Sequence, residues 1–176
     1  MAENHETSTG VFLLSHRKRT GTPSVKYEEG VEEALCFGWI DSAKRKVGET
    51  SSILLYTPRK PKSNWSALNK TRVARLVTEG LMMPAGLAKI EYAKQNGTWD
   101  ALNEVSEAII PSDLMLAFEQ SSPALEHWEK FSKSSRRGIL EWILNAKTSE
   151  TRTKRISATA TLAAQNVKAN QYVKKT

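Results

Sequence analysis

The sequence has little cysteine and lacks long apolar runs. Its 176 residues include a single cysteine, Cys36, which excludes an intrachain disulfide and a cysteine metal cluster. The apolar run nearest the N-terminus, residues 11–14, is far shorter than the roughly 7–15 residues of a signal-peptide core. No stretch approaches the roughly 20 apolar residues of a membrane span. These absences predict a cytoplasmic protein without a membrane span.

Catalytic and metal-binding motifs are also missing. The three histidines, His5, His16 and His127, are isolated and share no ligand spacing. The sequence contains no phosphate-binding glycine loop and no nucleophile elbow. Cys36 with a distant histidine is a conceivable nucleophilic pair, but a cysteine on the apolar face of a helix is more often a core residue. We therefore predict no metal and no cofactor.

Acidic residues are missing from two stretches. Lysine and arginine number 26 against 19 aspartates and glutamates, a net charge of +7, and no acid lies between Glu49 and Glu79 or after Glu150. The two resulting basic patches favour polyanions, phosphate ligands or acidic membrane surfaces. The alternative is a solvated lysine-rich surface. The stretch between Glu49 and Glu79 contains six basic residues: Arg59, Lys60, Lys62, Lys70, Arg72 and Arg75.

The hydrophobic pattern of the N-terminal part predicts an α+β fold. Residues 11–14 have the composition of a strand, and residues 24–33 open a helix that ends at Gly38, since glycine tolerates the left-handed conformation found past a helix end. Two β-favouring runs follow, separated by a hairpin turn at residues 48–51, and the second run ends at Pro58. The predicted β-α-β-β unit has a small antiparallel or mixed sheet with one face to cover.

Only helices are predicted after this hairpin. One runs from residue 64 or 66 to Thr78 and is closed by Gly80, and another opens at Pro84 and stops at residues 96–97. Residues 98–110 are predicted to be a connection. Four helices then make an all-helical C-terminal part, with predicted starts at Pro111, Ser122, Ser134 or Ser135, and Thr148.

These elements predict three parts of the chain. An α+β unit spans residues 1–97 and contains a basic loop (residues 57–66), a helical bundle spans residues 98–162, and residues 163–176 form a disordered tail.

The basic loop is the best candidate site. Its prolines restrict the backbone, so the cations are held at lower entropic cost, and the helix start behind it adds N–H donors for an anion. Arg59 and Lys62 are predicted to be exposed, so replacing both should change stability by at most about 1 kcal/mol. The alternative is a rigid turn whose tryptophan fills the core. The predicted anion-binding groove is bounded by Trp39, Asp41, Arg59, Lys60, Lys62, Asn64 and Trp65.

Three single residues carry their own alternatives. Asp41 either anchors the basic loop or, as a weak catalytic candidate, acts as an acid or base. Arg72 lies within an apolar helical arc and either pairs with a carboxylate or points to a pocket. Trp142 lies at helical spacing from core residues and is predicted to be buried, so its replacement by alanine should cost about 3–5 kcal/mol.

Four segments of the sequence carry a resemblance to a known family. EEALCFGWID, TPRKPKSNWS, MMPAGL and LEWILNAKTSETRTKRI resemble the YdeI/OmpD-associated family, also called the bacteriocin-protection family, over residues 10–156. The resemblance implies a bacterial protein with no assigned reaction or cofactor. Members usually begin with a helix before the first strand, whereas only residues 1–9 precede that strand here, so we expect that this helix is absent or that the start is trimmed. An uncovered sheet face would follow, and a homodimer formed through it is one way to cover it.

Three functions are consistent with the sequence. The first is a non-enzymatic protein that binds an anionic ligand or a protein partner in antimicrobial or envelope stress tolerance. The second is a nucleic-acid-binding module that uses both basic patches. The third is an enzyme on a small anionic substrate, with Asp41 as its acid or base.

Overall fold

A computed structural model describes residues 1–170, and the chain divides into two compact units, Met1–Ala101 and Leu102–Thr176. The predicted α+β fold is confirmed. The first unit contains β1 (Val11–His16), α1 (Tyr27–Cys36), β2 (Trp39–Val47), β3 (Ser51–Pro58), α2 (Ala67–Thr78) and α3 (Pro84–Gln95). The second unit contains α4 (Asn103–Glu107), α5 (Ser112–Glu119), α6 (Ala124–Lys130), α7 (Lys133–Leu144) and α8 (Ser149–Ala164).

The strands in the described part of the chain form one sheet in the order β1-β3-β2. Both pairings are antiparallel, so the sheet is not mixed. The central strand β3 places Leu54 opposite Leu13 on one side and opposite Lys44 on the other. The register shifts between Asp41 and Lys44, where β2 is irregular.

Glycine makes the tight junction between α1 and the sheet. Gly38 has φ 73° and directly precedes β2, as the sequence predicts for the end of this helix. Gly48, with φ 65°, lies in the turn between β2 and β3. At the other end of α1, the backbone N–H of Lys26 donates to the carboxylate of Glu29 at 2.9 Å, which caps the first turn.

The core of the first unit lies between the sheet and α1 to α3. Its largest buried side chains include Leu35, Tyr56 and Trp65, and Trp39 at the start of β2 is also buried. Burial of such residues is the main favourable contribution to the stability of a small domain.

The opposite face of the sheet stays exposed. Phe12 is 56% exposed and Leu14 is 49% exposed, whereas Leu13 between them packs against the core. Residues 2–7 form turns in place of a helix, and the His5 ring contacts the Phe37 ring at 4.8 Å between centroids. The expected homodimer through this face remains a prediction.

The second unit has its own core around Trp128. Trp128 is fully buried and its ring lies 5.2 Å from that of Phe118. Trp142 packs against this core as predicted, but it is only partly buried. The guanidinium of Arg155 covers its ring at 5.0 Å, and Arg155 also donates to the Trp142 carbonyl.

Several predicted boundaries in this half differ from the structure. Residues 98–110 contain α4 and are not a plain connection. Ser132, whose hydroxyl accepts from the Ser135 N–H, caps α7 in place of the predicted serines. The tail was predicted to start at residue 163, but α8 continues to Ala164, and Ala163 and Ala169 are both buried. Residues 171–176 lie outside the described part.

Gly86 allows α3 to approach the end of α1. A Cβ atom at Gly86 would lie 2.3 Å from the Cys36 carbonyl oxygen, a backbone atom that has little room to move. We expect Gly86→Ala to lower the free energy of unfolding by about 1–3 kcal/mol. Gly138, inside α7, has open space around it, so Gly138→Ala should raise stability by about 0.5–1 kcal/mol. Urea denaturation measures both, and a shift of the same sign would contradict this packing.

Alanine substitution of Trp128 and Trp142 compares the stability contributed by a fully buried aromatic residue with that of a partly buried one. Trp128→Ala should cost about 3–5 kcal/mol through lost burial and a cavity. Trp142→Ala should cost only about 1–2 kcal/mol, because this residue is partly buried. Thermal melts followed by circular dichroism compare the two variants, and equal losses would show that Trp142 contributes as much to stability as the fully buried Trp128.

Candidate functional site

The basic loop begins at the end of β3 and leads into α2. The Arg59 N–H donates to the Gly38 carbonyl at 3.0 Å, and the Ser63 N–H donates to the Lys60 carbonyl at 3.0 Å. Ser66 caps α2, since its hydroxyl accepts from the Asn69 N–H at 3.3 Å. The loop is therefore held by its own backbone as well as by its prolines.

Arg59 lies inside this loop and is not exposed. The residue is only 3% exposed, so the prediction that Arg59 is a surface cation is wrong. Its guanidinium lies 3.8 Å from the centroid of the Trp65 ring. One terminal nitrogen donates to the Asn64 carbonyl at 3.0 Å and to the Ser63 hydroxyl at 3.1 Å. Arg59 thus closes the loop from within, and Asn64 contributes to this closure through its carbonyl.

Burial changes the chemistry of this guanidinium. Desolvation lowers the pKa of Arg59 to about 10, and the nearby charge of Asp41 acts in the opposite direction. Arg59 therefore remains a cation at neutral pH. Its Nε and its second terminal nitrogen are buried without a hydrogen-bond partner among the described residues. The cation–π contact with Trp65 and the two loop acceptors offset part of this cost.

Both tryptophans of the predicted groove belong to the core. Trp39 is buried at the start of β2, and Trp65 is buried with its ring 5.0 Å from that of Trp99. The backbone N–H of Trp65 donates to the Thr98 carbonyl at 3.2 Å. These contacts support the alternative that the tryptophan of the basic loop fills the core.

Asp41, Lys60 and Lys62 meet at one open groove. The groove has a volume of about 930 Å³. Both lysines are exposed, and the Asp41 carboxylate accepts from the Tyr27 hydroxyl at 2.9 Å. The start of α2 was expected to supply backbone N–H donors for an anion. Among the described residues, however, none from the first turn of α2 lines this groove. The lining is completed by Glu6, Thr7, Ser8, Thr9, Ile40, Ser42, Thr57, Pro58 and Ser63.

Tyr27 is a partner of Asp41 that the sequence reasoning missed. Burial and the Asp41 hydrogen bond raise the pKa of Tyr27, so its phenol keeps its proton at neutral pH and donates to the carboxylate. No local pattern links these two residues, because Tyr27 opens α1 and Asp41 lies near the start of β2. The contact exists because α1 packs on the sheet.

The fold uses several cations of the acid-free window. Lys70 pairs with Asp100 at 3.1 Å, and Arg75 pairs with Glu79 at 2.8 Å and also with Glu32. Arg72 donates to the Asn69 side chain at 3.0 Å. The basic patch read from the sequence is thus divided by internal pairs.

The remaining candidates for reactive chemistry lie apart from the groove. Cys36 is buried, and burial raises the pKa of its thiol, which disfavours the nucleophilic thiolate. Residues 1–170 contain no group of three His, Cys, Asp or Glu side chains placed to hold a metal ion. In the same range, no helix combines the length and the apolar character needed to cross a membrane.

Two family models match the chain. One is described as a domain of unknown function (DUF8412) and matches residues 1–89, the part that contains the groove. The other is described as "Bacteriocin-protection, YdeI or OmpD-Associated" and matches residues 107–166. The second match confirms the expected family over a shorter span than residues 10–156. No curated protein and no solved structure shows significant similarity to the chain.

Single alanine substitutions distinguish the inner cation of the loop from the outer one. Arg59→Ala should lower the free energy of unfolding by about 2–4 kcal/mol, because it removes buried packing and leaves two loop acceptors without their donor. Lys62→Ala should change it by less than about 0.5 kcal/mol, since Lys62 is exposed. Urea denaturation followed by tryptophan fluorescence measures both values. Two equally small effects would show that Arg59 does not support the loop.

Proposed function

Because the chain belongs to the DUF8412 family through residues 1–89 and matches the "Bacteriocin-protection, YdeI or OmpD-Associated" model over residues 107–166, we propose that it is a binding protein of the bacteriocin-protection type. In this proposal the protein is cytoplasmic, acts without catalysing a reaction, and binds an anionic ligand in the groove of Asp41, Lys60 and Lys62. Its role is antimicrobial or envelope stress tolerance.

One observation carries the choice of the groove. Lys60 and Lys62 are both exposed and line the same groove, while the buried Arg59 between the strand end and these lysines holds the loop closed. A loop that is ordered before binding loses less conformational entropy when a ligand arrives. The two lysines are therefore preorganised donors for an anionic group.

The mixed charge of the groove favours a small polar anion. Asp41 and Glu6 line it together with both lysines, and several hydroxyl groups complete it. An extended polyanion in this groove would be repelled by both carboxylates. A compact anion can contact the two lysines, while the hydroxyl groups bind the neutral part of the same ligand. The internal pairs of Lys70 and Arg75 also reduce the charge available to a nucleic acid.

The hydrogen bond to Asp41 supports a binding role over an enzymatic one. Its carboxylate already accepts from the Tyr27 hydroxyl at 2.9 Å, and this bond orients Asp41 along the wall of the groove. Asp41 then serves to position a ligand by accepting a hydrogen bond from a hydroxyl or amide group of that ligand.

Pyrophosphate is a suitable probe for the proposed anion site. We expect calorimetric titration to show saturable binding that weakens at least about tenfold in the Lys60→Ala/Lys62→Ala variant, with an unchanged melting temperature. Arg45→Ala/Lys46→Ala is the matched control, because it removes the same charge from exposed positions of β2 that do not line the groove. If pyrophosphate affinity fell equally in the control variant, the loss would be explained by net charge alone, and the proposed groove would be contradicted.

The cellular role is tested with the same two double variants. A bacterial strain that depends on this protein should lose bacteriocin tolerance with Lys60→Ala/Lys62→Ala and keep it with Arg45→Ala/Lys46→Ala. Binding to mixed oligonucleotides at about 50 mM salt, with a log–log salt slope near 0.9 per phosphate, would instead favour the nucleic-acid alternative.

A further inference from the structure

Two cavities lie against α1 and the sheet, and of the residues that line them only Ser8 also lines the proposed anion groove. Both are lined by Leu13, Val25 and Tyr56. The first has a volume of about 470 Å³ and is lined mainly by apolar side chains, among them Val11 and Phe12. This volume lies within the usual range of small-molecule sites.

The second cavity has a cationic lining. Its volume is about 650 Å³, and Arg17, Lys18 and Lys44, all exposed, contribute to its wall together with the acid Glu28. Lys26 also lines it but pairs with Glu29 at 3.2 Å. The two cavities thus differ in character: one is apolar and the other carries excess positive charge.

Tyr56 lines both cavities and has a buried hydroxyl. The residue is 1% exposed, and among the described residues its hydroxyl has no hydrogen-bond partner. Burial, followed by the charge of Asp41, raises the pKa of Tyr56 to about 12, so the hydroxyl stays protonated. A buried hydroxyl without a partner is costly to the fold, and a bound ligand that accepts its proton in a hydrogen bond would remove this cost.

Gly30 makes room for this hydroxyl within α1. A Cβ atom at Gly30 would lie 2.5 Å from the Tyr56 hydroxyl oxygen and 3.2 Å from a methyl carbon of Leu13. Glycine inside a helix costs stability relative to alanine, so the close approach of Tyr56 is maintained at the expense of helix stability.

We propose that the two cavities form one binding site for a hydrophobic carboxylate. Its apolar part lies among Val11, Phe12, Leu13 and Val25, and its carboxylate accepts a hydrogen bond from the Tyr56 hydroxyl and faces Lys44. Charge fixes this orientation: Glu33 lines the apolar cavity and repels an anion there, whereas the cations line the second cavity. The cations and the donor of this site do not line the groove of Lys60 and Lys62, with which it shares only Ser8.

Titration with decanoate tests the site on the full chain. We expect saturable binding that weakens at least about tenfold in Tyr56→Phe, because the donor to the carboxylate is lost. The same variant should melt at the same or a higher temperature than the wild type, since its hydroxyl satisfies no partner in the described structure. A merely structural role for Tyr56 predicts the reverse: a lower melting temperature with unchanged binding.

A charge variant and a neutral ligand complete the test. Lys44→Gln should weaken decanoate binding about threefold to tenfold, while Lys46→Gln, an exposed change on the same strand outside both cavities, should leave it unchanged. Decanol, which has the same chain and no charge, should be insensitive to Lys44→Gln. Absence of saturable decanoate binding to the wild type, or equal binding by Tyr56→Phe, would overturn the proposal.

Discussion

The stacking of the Arg59 guanidinium on Trp65 is the contact on which the geometry of the basic loop depends. It joins the end of β3 to the start of α2 and leaves Lys60 and Lys62 at the surface. A buried cation is tolerated here because loop acceptors and an aromatic face replace part of its hydration. This contact adds to the backbone hydrogen bonds and prolines of the loop, and it separates the buried Arg59 from the two exposed lysines.

The close approach of α1 to its neighbours is the second constraint. Gly86 lets α3 meet the backbone at the end of α1, and Gly30 lets Tyr56 reach the helix from the sheet. The packing that creates the core therefore also brings Tyr27 to Asp41 and places Tyr56 in the lining of two cavities. The same contacts of α1 support the core and shape the candidate sites, so substitutions in α1 should change both stability and binding.

Much of the fold follows from local signals. The hairpin of β2 and β3 and the start of α3 are marked by Gly48, Pro58 and Pro84, whose backbone preferences act within a few residues. The helix α4 is missed because it has five residues and no side-chain cap. The burial of Trp142 is overestimated for another reason: helical spacing shows that a residue shares a face with core residues, but not how far that face is covered.

The sequence by itself determined the types of the elements, the uneven charge and the stiffness of the basic loop, because these depend on the intrinsic properties of neighbouring residues. Only the tertiary structure decided that Arg59 points inward while Lys60 and Lys62 point outward, since all three are cations in the same short segment. It likewise decided that Tyr56 has a buried hydroxyl beside two cavities. Burial depends on what lies opposite a side chain, and the residues opposite these come from helices and strands distant in sequence.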